Sequence, residues 1–199
     1  MQSFSFPQRL TVGLSALLLS GLVNASSEQL EADLRAGLVG DGVITFSRVY
    51  EDAQQDVYVA EGIEVTNQEG EVLTFERYTV QGDYDQPTSV SAEGIAMFSA
   101  EEAQPLISVA SITLANPGMA VLSLDALEAP GYTLPGLAIT GLRINLAEII
   151  ASELSADLPS GYLSMDSLNA EDISRHAIGL LEVDGVSADI LFDAYHAIS

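Results

Sequence analysis

The chain has 199 residues, a mass of 21.0 kDa, 29 acidic side chains against six basic ones and a formal charge of −23, with no Cys and no Trp. At 48 % hydrophobic and 18 % charged it is too apolar for a disordered acidic tail. The charge excludes non-specific nucleic-acid binding, which rests on Lys and Arg, and the lack of Cys excludes disulfide frameworks, Cys-ligated zinc and thiol catalysis.

Residues 1–25 read as a cleaved signal peptide. Met1 to Arg9 is polar with one base, Leu10 to Val23 is an apolar run, and Val23-Asn24-Ala25 is a small-x-small cleavage signal before Ser26. The run falls short of the roughly 20 residues that cross a bilayer. No twin-arginine pair precedes it, so export in the unfolded state is expected. No later stretch is apolar enough to cross a membrane. The mature chain, 26–199, is therefore expected as a single β-rich domain, periplasmic or secreted, with no transmembrane segment after cleavage.

The mature chain opens on a predicted helix from Ser26 to Gly40. Leu30, Leu34 and Leu38 repeat every four residues, Ser26 and Gln29 have capping-box spacing, and Gly37 or Gly40 ends it. Strands come next. Val43 to Tyr50 alternates apolar and polar residues. Val57 to Thr66 and Glu71 to Val80 form the best hairpin signal, joined by Asn67-Gln68-Glu69-Gly70. After a turn from Gly82 to Pro87, Thr88 to Phe98 is a strand. Leu106 to Ala115 and Met119 to Leu127 are expected to pair as a hairpin around Asn116-Pro117-Gly118. Leu137 to Leu146 is a further strand, and a helix is expected from Asn145 to Leu158, stopped by Pro159 and Gly161. Ser160 to Ser167 reads as a weak strand, Asn169 to His176 as a helical turn, and Ile178 to Phe192 as strand, with Asp184-Gly185 a turn or a bulge. The fold expected is mainly β: a curled antiparallel sheet of hairpin repeats with two or three short helices.

One pattern recurs. Ala60-Glu61-Gly62-Ile63 and Ala92-Glu93-Gly94-Ile95 match at a period of 32, and Thr140-Gly141-Leu142 and Asp184-Gly185-Val186 share the shorter form. Asp125-Ala126-Leu127 and Asp166-Ser167-Leu168 carry a looser one. Glycine inside a strand marks a bulge or sharp bend, where a sheet curls. A leading helix, repeated hairpins and strands with bend glycines resemble the uncharacterised exported β-meander proteins of Gram-negative bacteria and, more broadly, the AsmA-type repeat proteins. The resemblance covers residues 27–192 and rests on pattern, with no diagnostic motif. It implies a curled sheet that carries lipid in a groove. The chain departs from the long AsmA-type proteins in being short and in having no retained membrane helix, so it does not imply a bridge between membranes.

The chemistry-bearing residues are sparse. The two histidines, His176 and His196, both lie in the last quarter, and the mature chain holds no Gly-x-Ser-x-Gly, so nucleophilic catalysis is not expected. No catalytic residue is assigned. Asp83 and Asp85, beside Tyr84, pair two carboxylates in one turn, an arrangement that suits a glycosidase or a calcium site. Asn67, Glu69 and Glu71 offer calcium a second set of oxygens. No cofactor is expected beyond calcium at these turns. The strands carry neighbouring apolar residues at Val57-Tyr58-Val59, Val72-Leu73, Leu106-Ile107 and Val121-Leu122, as a sheet curled around a ligand would. The leading reading is an exported, non-enzymatic binding or scaffold protein, a hydrophobic-ligand carrier of the cell envelope, whose partner is a hydrophobic small molecule or an envelope protein. Beside it stand a calcium-dependent structural or adhesive surface protein and a hydrolase using an Asp pair.

Overall fold

A computed structural model describes residues 27–38, 42–100, 103–122, 129–146 and 160–191. The expected signal peptide, the helix expected after Asn145 beyond Leu146, and Asp125-Ala126-Leu127 lie outside these residues.

The chain folds as one open antiparallel sheet of ten strands with a single helix described, α1 (Ser27–Leu38). The strands are β1 (Val43–Thr45), β2 (Arg48–Asp52), β3 (Val57–Thr66), β4 (Val72–Gln81), β5 (Ser89–Phe98), β6 (Ile107–Ala115), β7 (Thr133–Asn145), β8 (Ser160–Ser174), β9 (Leu180–Asp184) and β10 (Ser187–Leu191). From β3 to β8 each strand pairs with the next in the chain. The two edges are interrupted strands: β1 and β2 pair with β3 in one register, and β9 and β10 pair with β8 in one register. Asp184-Gly185 is thus neither a turn nor a true bulge but an interruption within one edge strand, which keeps its register with β8 on both sides.

The interruptions belong to a line that crosses the sheet. Gly62, Gly94, Gly141 and Gly185 have φ of 58°, 60°, 61° and 66°, in the left-handed region that only glycine enters without strain. The pairing registers place Ser47, Gly62, Glu76, Gly94, Ala110, Gly141, Asp166 and Gly185 in a single row. The ladder breaks at this row and resumes with no residue gained or lost. Each glycine lies under the side chain of the strand before it: Ser47 over Gly62, Glu76 over Gly94, Ala110 over Gly141 and Asp166 over Gly185. The sheet is therefore four hairpins of one design, each a strand with a side chain at the crease and then a strand with glycine there. This is the repeat read from the sequence, with Asp166 in the partner position and not the glycine position.

The crease also reverses the alternation of side chains. Residues of even spacing share a face along an ordinary strand. In β3, however, Ala60 before the crease and Ile63 and Val65 after it all enter the core, as do Val80 and Phe75 of β4, and Val90 and Ala92 with Ile95 of β5. A glycine in the left-handed conformation adds a half-turn of pleat, so the apolar positions change parity at the row. Against this face α1 sets Leu30 and Leu34, both fully buried, with Leu38 packed beside them. Burying a leucine contributes about 1.5–3 kcal/mol, which anchors a helix too short to be stable alone. Arg35 braces the helix to the sheet edge: it pairs with Glu31 at 2.7 Å, donates to the Ile44 carbonyl at 2.9 Å, and lies 5.0 Å from the Phe46 ring centre.

Two expectations need correction. Met119 to Leu127 does not return as the partner of β6; that partner is β7, reached by a long connection. The described part of the segment, up to Leu122, is not strand. Its Ala120 carbonyl accepts from the Tyr78 hydroxyl at 2.7 Å instead of from a ladder, and in the turn just before it Pro117 O accepts from the Tyr132 hydroxyl at 2.8 Å. Ala120 and Val121 pack into the core beside α1. Asn169 to His176 is not a helical turn. Asn169 to Ser174 completes β8, the longest strand at 15 residues, because β7 and β9 hold it on both sides, and only Arg175 and His176 turn the chain.

Candidate functional site

The registers extend the apolar face far beyond the helix. Starting from the core residues of β5, the directly opposed positions are Leu114, Ile112, Val109 and Ile107 on β6, then Leu137, Ile139, Leu142 and Ile144 on β7. They continue as Ala170, Leu168, Met165 and Leu163 on β8, and Leu181 and Val183 on β9. Every one is apolar. The other face is polar at the matching positions: Glu61, Arg77, Glu93, Ser111, Thr140, Ser167 and Asp184 stand in one row beside the crease. The doubled apolar residues of the sequence lie on one side of the crease and alternate as in any strand: Tyr58 and Leu73 pack against the core, while Val57 and Val59, also buried, point to the other face beside the β2 edge.

Among the described residues, α1 and the segment ending at Leu122 are what cover the apolar face, and both lie over its first half. Beneath them is a cavity of about 160 Å³, lined by Leu34, Leu38, Phe75, Tyr78, Ile95, Ile112, Leu114 and Leu122 among others. Ile112 and Leu114 of β6 form part of its wall. At the far edge, Leu163 is 36 % exposed, Leu181 53 %, Val183 43 % and Val186 64 %. A wider cavity of about 350 Å³ lies at the other side of α1, between Asp33, Gly37, Tyr84, Asp85, Met119 and Val121. Tyr84 closes its floor: its hydroxyl donates to Asp33 Oδ2 at 2.8 Å, and its ring meets Tyr58 edge-on at 5.2 Å.

The electrostatics fit a dry interior. Burial pushes the Tyr78 hydroxyl well above its usual value, and burial together with the hydrogen bond to Asp33 and that carboxylate's charge does the same to Tyr84. Burial also raises Tyr58, with Glu51, Asp56, Asp83 and Asp85 adding to it. All three hydroxyls stay neutral, and those of Tyr78 and Tyr84 act as donors, to Ala120 O and to Asp33 Oδ2.

The structure holds the candidate ligands of the sequence in two separate turns. Asp83 Oδ1 accepts the backbone N–H of Asp85 at 2.9 Å. Asn67 Oδ1 accepts the N–H groups of Glu69 and Glu71, both at 2.9 Å, and its amide donates to Glu71 Oε2 at 2.6 Å. These are side-chain-capped turns, the local role that Asp and Asn play most often. They lie at opposite ends of β4, roughly 30 Å apart at the rise of an extended strand. Among the described residues no three His, Asp or Glu side chains are grouped to hold a metal ion. His176 sits in the turn after β8, apart from both turns.

The residues that matter most here, the apolar positions of β6 to β9 and the strand partners of the crease glycines, carried no motif. Their only signal is the change of parity at each bend glycine. No protein-family model, curated protein or solved structure matches this chain. Among the described residues no helix is long and apolar enough to cross a membrane.

Proposed function

We propose that the protein is an exported, non-enzymatic carrier of a hydrophobic ligand, a lipid acyl chain in the cell envelope. The observation that carries this reading is the apolar face that continues strand after strand from the helix-covered core to the exposed edge at Val183. Leaving that much contiguous apolar surface to water is costly for a monomer, and such patches mark ligand or membrane-facing sites. An acyl chain needs no polar partner, so a face without charged groups suits it better than it suits a sugar, nucleotide or peptide. The cavity under Leu34 and Leu38 gives one end of the chain a dry seat, and the face of β6 to β8 gives the remainder a path. The export signal at 1–25 supplies the location, and the net charge of −23 keeps the carrier from adhering to anionic bilayer surfaces between deliveries.

The test is native mass spectrometry of the protein purified without detergent, with extraction and identification of whatever lipid accompanies it. A stoichiometric bound lipid is expected, and Ile139→Asp together with Leu142→Asp, which charge the middle of the path, should abolish it. A bare mass that stays bare after incubation with phospholipid vesicles overturns the reading. A melting temperature that then rises with added calcium would establish the adhesive alternative instead.

A further inference from the structure

The crease and its flanking row end differently at the two edges of the sheet. Along the polar face the row runs Arg48, Glu61, Arg77, Glu93, then hydroxyls, then Asp184. Arg48 lies 3.5 Å from Glu61, and Glu61 3.7 Å from Arg77; Ser111 and Thr140 are hydrogen-bonded at 2.8 Å. One edge thus ends on a cation and the other on an anion. The hairpins are four, so the strand of one edge runs antiparallel to the strand of the other.

We propose that the protein associates head to tail with a second copy of itself, β2 of one molecule adding antiparallel to β9 of the next. Both strands have five residues, and among the described residues both are sheet edges with backbone donors and acceptors facing outward. Continuing the crease from Gly185 to Ser47 of the next copy fixes the register. It sets Asp184 opposite Arg48, Val183 opposite Val49, and Glu182 opposite Tyr50, whose hydroxyl already donates to Glu61 Oε1 within its own chain. The charged row then continues with its alternation kept, and Val183 is covered. Arg48 is prepared for this contact, with its guanidinium 3.9 Å from the Tyr50 ring centre and its side chain 61 % exposed. The β1 half of the same edge is not available, because Arg35 already occupies the outward carbonyl of Ile44. A contact between unlike edges leaves a free edge at each end, so it builds open chains and not closed dimers.

Sedimentation velocity across micromolar to millimolar concentrations tests this, at physiological or higher salt so that the general repulsion between acidic copies is screened. The weight-average mass should rise above that of one chain. Arg48→Asp and Asp184→Arg should each weaken association about tenfold, since each sets like charges opposite one another. An equimolar mixture of the two variants matches every reversed edge with its complement and should associate again. Both residues are surface groups, and circular dichroism checks that each variant is folded. A single-chain mass at every concentration, association that Arg48→Asp leaves unchanged, or a mixture that does not recover would each overturn the proposal.

Discussion

Substituting Gly141 by alanine isolates what the crease demands. At φ 61° an L-residue with a Cβ costs about 1–2 kcal/mol, whatever surrounds it. The new Cβ would also stand 2.8 Å from the Cβ of Ala110, closer than methyl groups approach, so the strands must part. Overpacking of this kind costs about 1–3 kcal/mol. The expected total is about 3 kcal/mol, which for a chain of this size lowers Tm by roughly 6–12 °C. Gly118 supplies the control. It has φ 73° with nothing within 4 Å, so Gly118→Ala carries the backbone cost alone. The second control is Ala110→Gly combined with Gly141→Ala. It removes the overlap, and the double-mutant cycle in urea unfolding should return a coupling of about 1–3 kcal/mol. If Gly141→Ala costs no more than Gly118→Ala, or if the coupling is zero, the close passage of β6 over β7 is not what holds the crease.

Other perturbations reach the helix-covered half. Leu34→Ala empties a fully buried site and should cost about 2–5 kcal/mol in urea unfolding; a loss below about 1 kcal/mol would mean that α1 is not an integral part of the core. Alkaline titration has a defined sign. Tyr78 and Tyr84 have folded-state values above the roughly 10 of an unfolded tyrosine, so their neutral hydroxyls contribute stability in full below pH 10, and that contribution is lost as pH rises beyond it. Melting temperature should hold steady to about pH 10 and then fall, with these two hydroxyls ionising only as the protein unfolds. Tyrosinate absorbance that reaches its full amplitude near pH 10 with the circular dichroism unchanged would refute this.

Much of the fold was legible because bend glycines are a local signal. Gly62 and Gly94 sit in the same four-residue string, and each adopts the same backbone conformation. The partner positions were not legible, since Ser47, Glu76, Ala110 and Asp166 need only pass over a glycine, and many side chains can. The missed pairing of β6 has a similar cause. Asn116-Pro117-Gly118 does end the strand, with Asn116 and Gly118 at positive φ, but a turn signal does not fix the path of the chain beyond the turn. Ala120 and Val121 were drawn to α1 by burial, a tertiary preference that no alternation pattern encodes. The apolar trough was half-read. Of the neighbouring apolar positions noticed in the sequence, Tyr58, Leu73 and Ile107 lie on it, while Val57, Val59 and Val72 point to the other face; the remaining apolar positions of β6 to β9 carried no doubled signal. The acidic turns were read for chemistry; in the structure the Asp83 and Asn67 side-chain oxygens accept backbone N–H groups of their own turns.

The crease has a further consequence, for how the strands find their partners. In an ordinary sheet a slip of one residue is heavily penalised because it turns the apolar side chains to water, whereas a slip of two restores the alternation and is punished only at the strand ends. Here a slip of two fails as well. It would leave a left-handed glycine facing a regular pleat, and between the two mismatched bends the apolar residues would point the wrong way. Each strand therefore carries an absolute origin as well as a phase. Ten strands rich in small and β-branched residues, with little charge patterning to tell one from another, would otherwise have many near-equivalent alignments. The row of glycines acts as a vernier mark that leaves one.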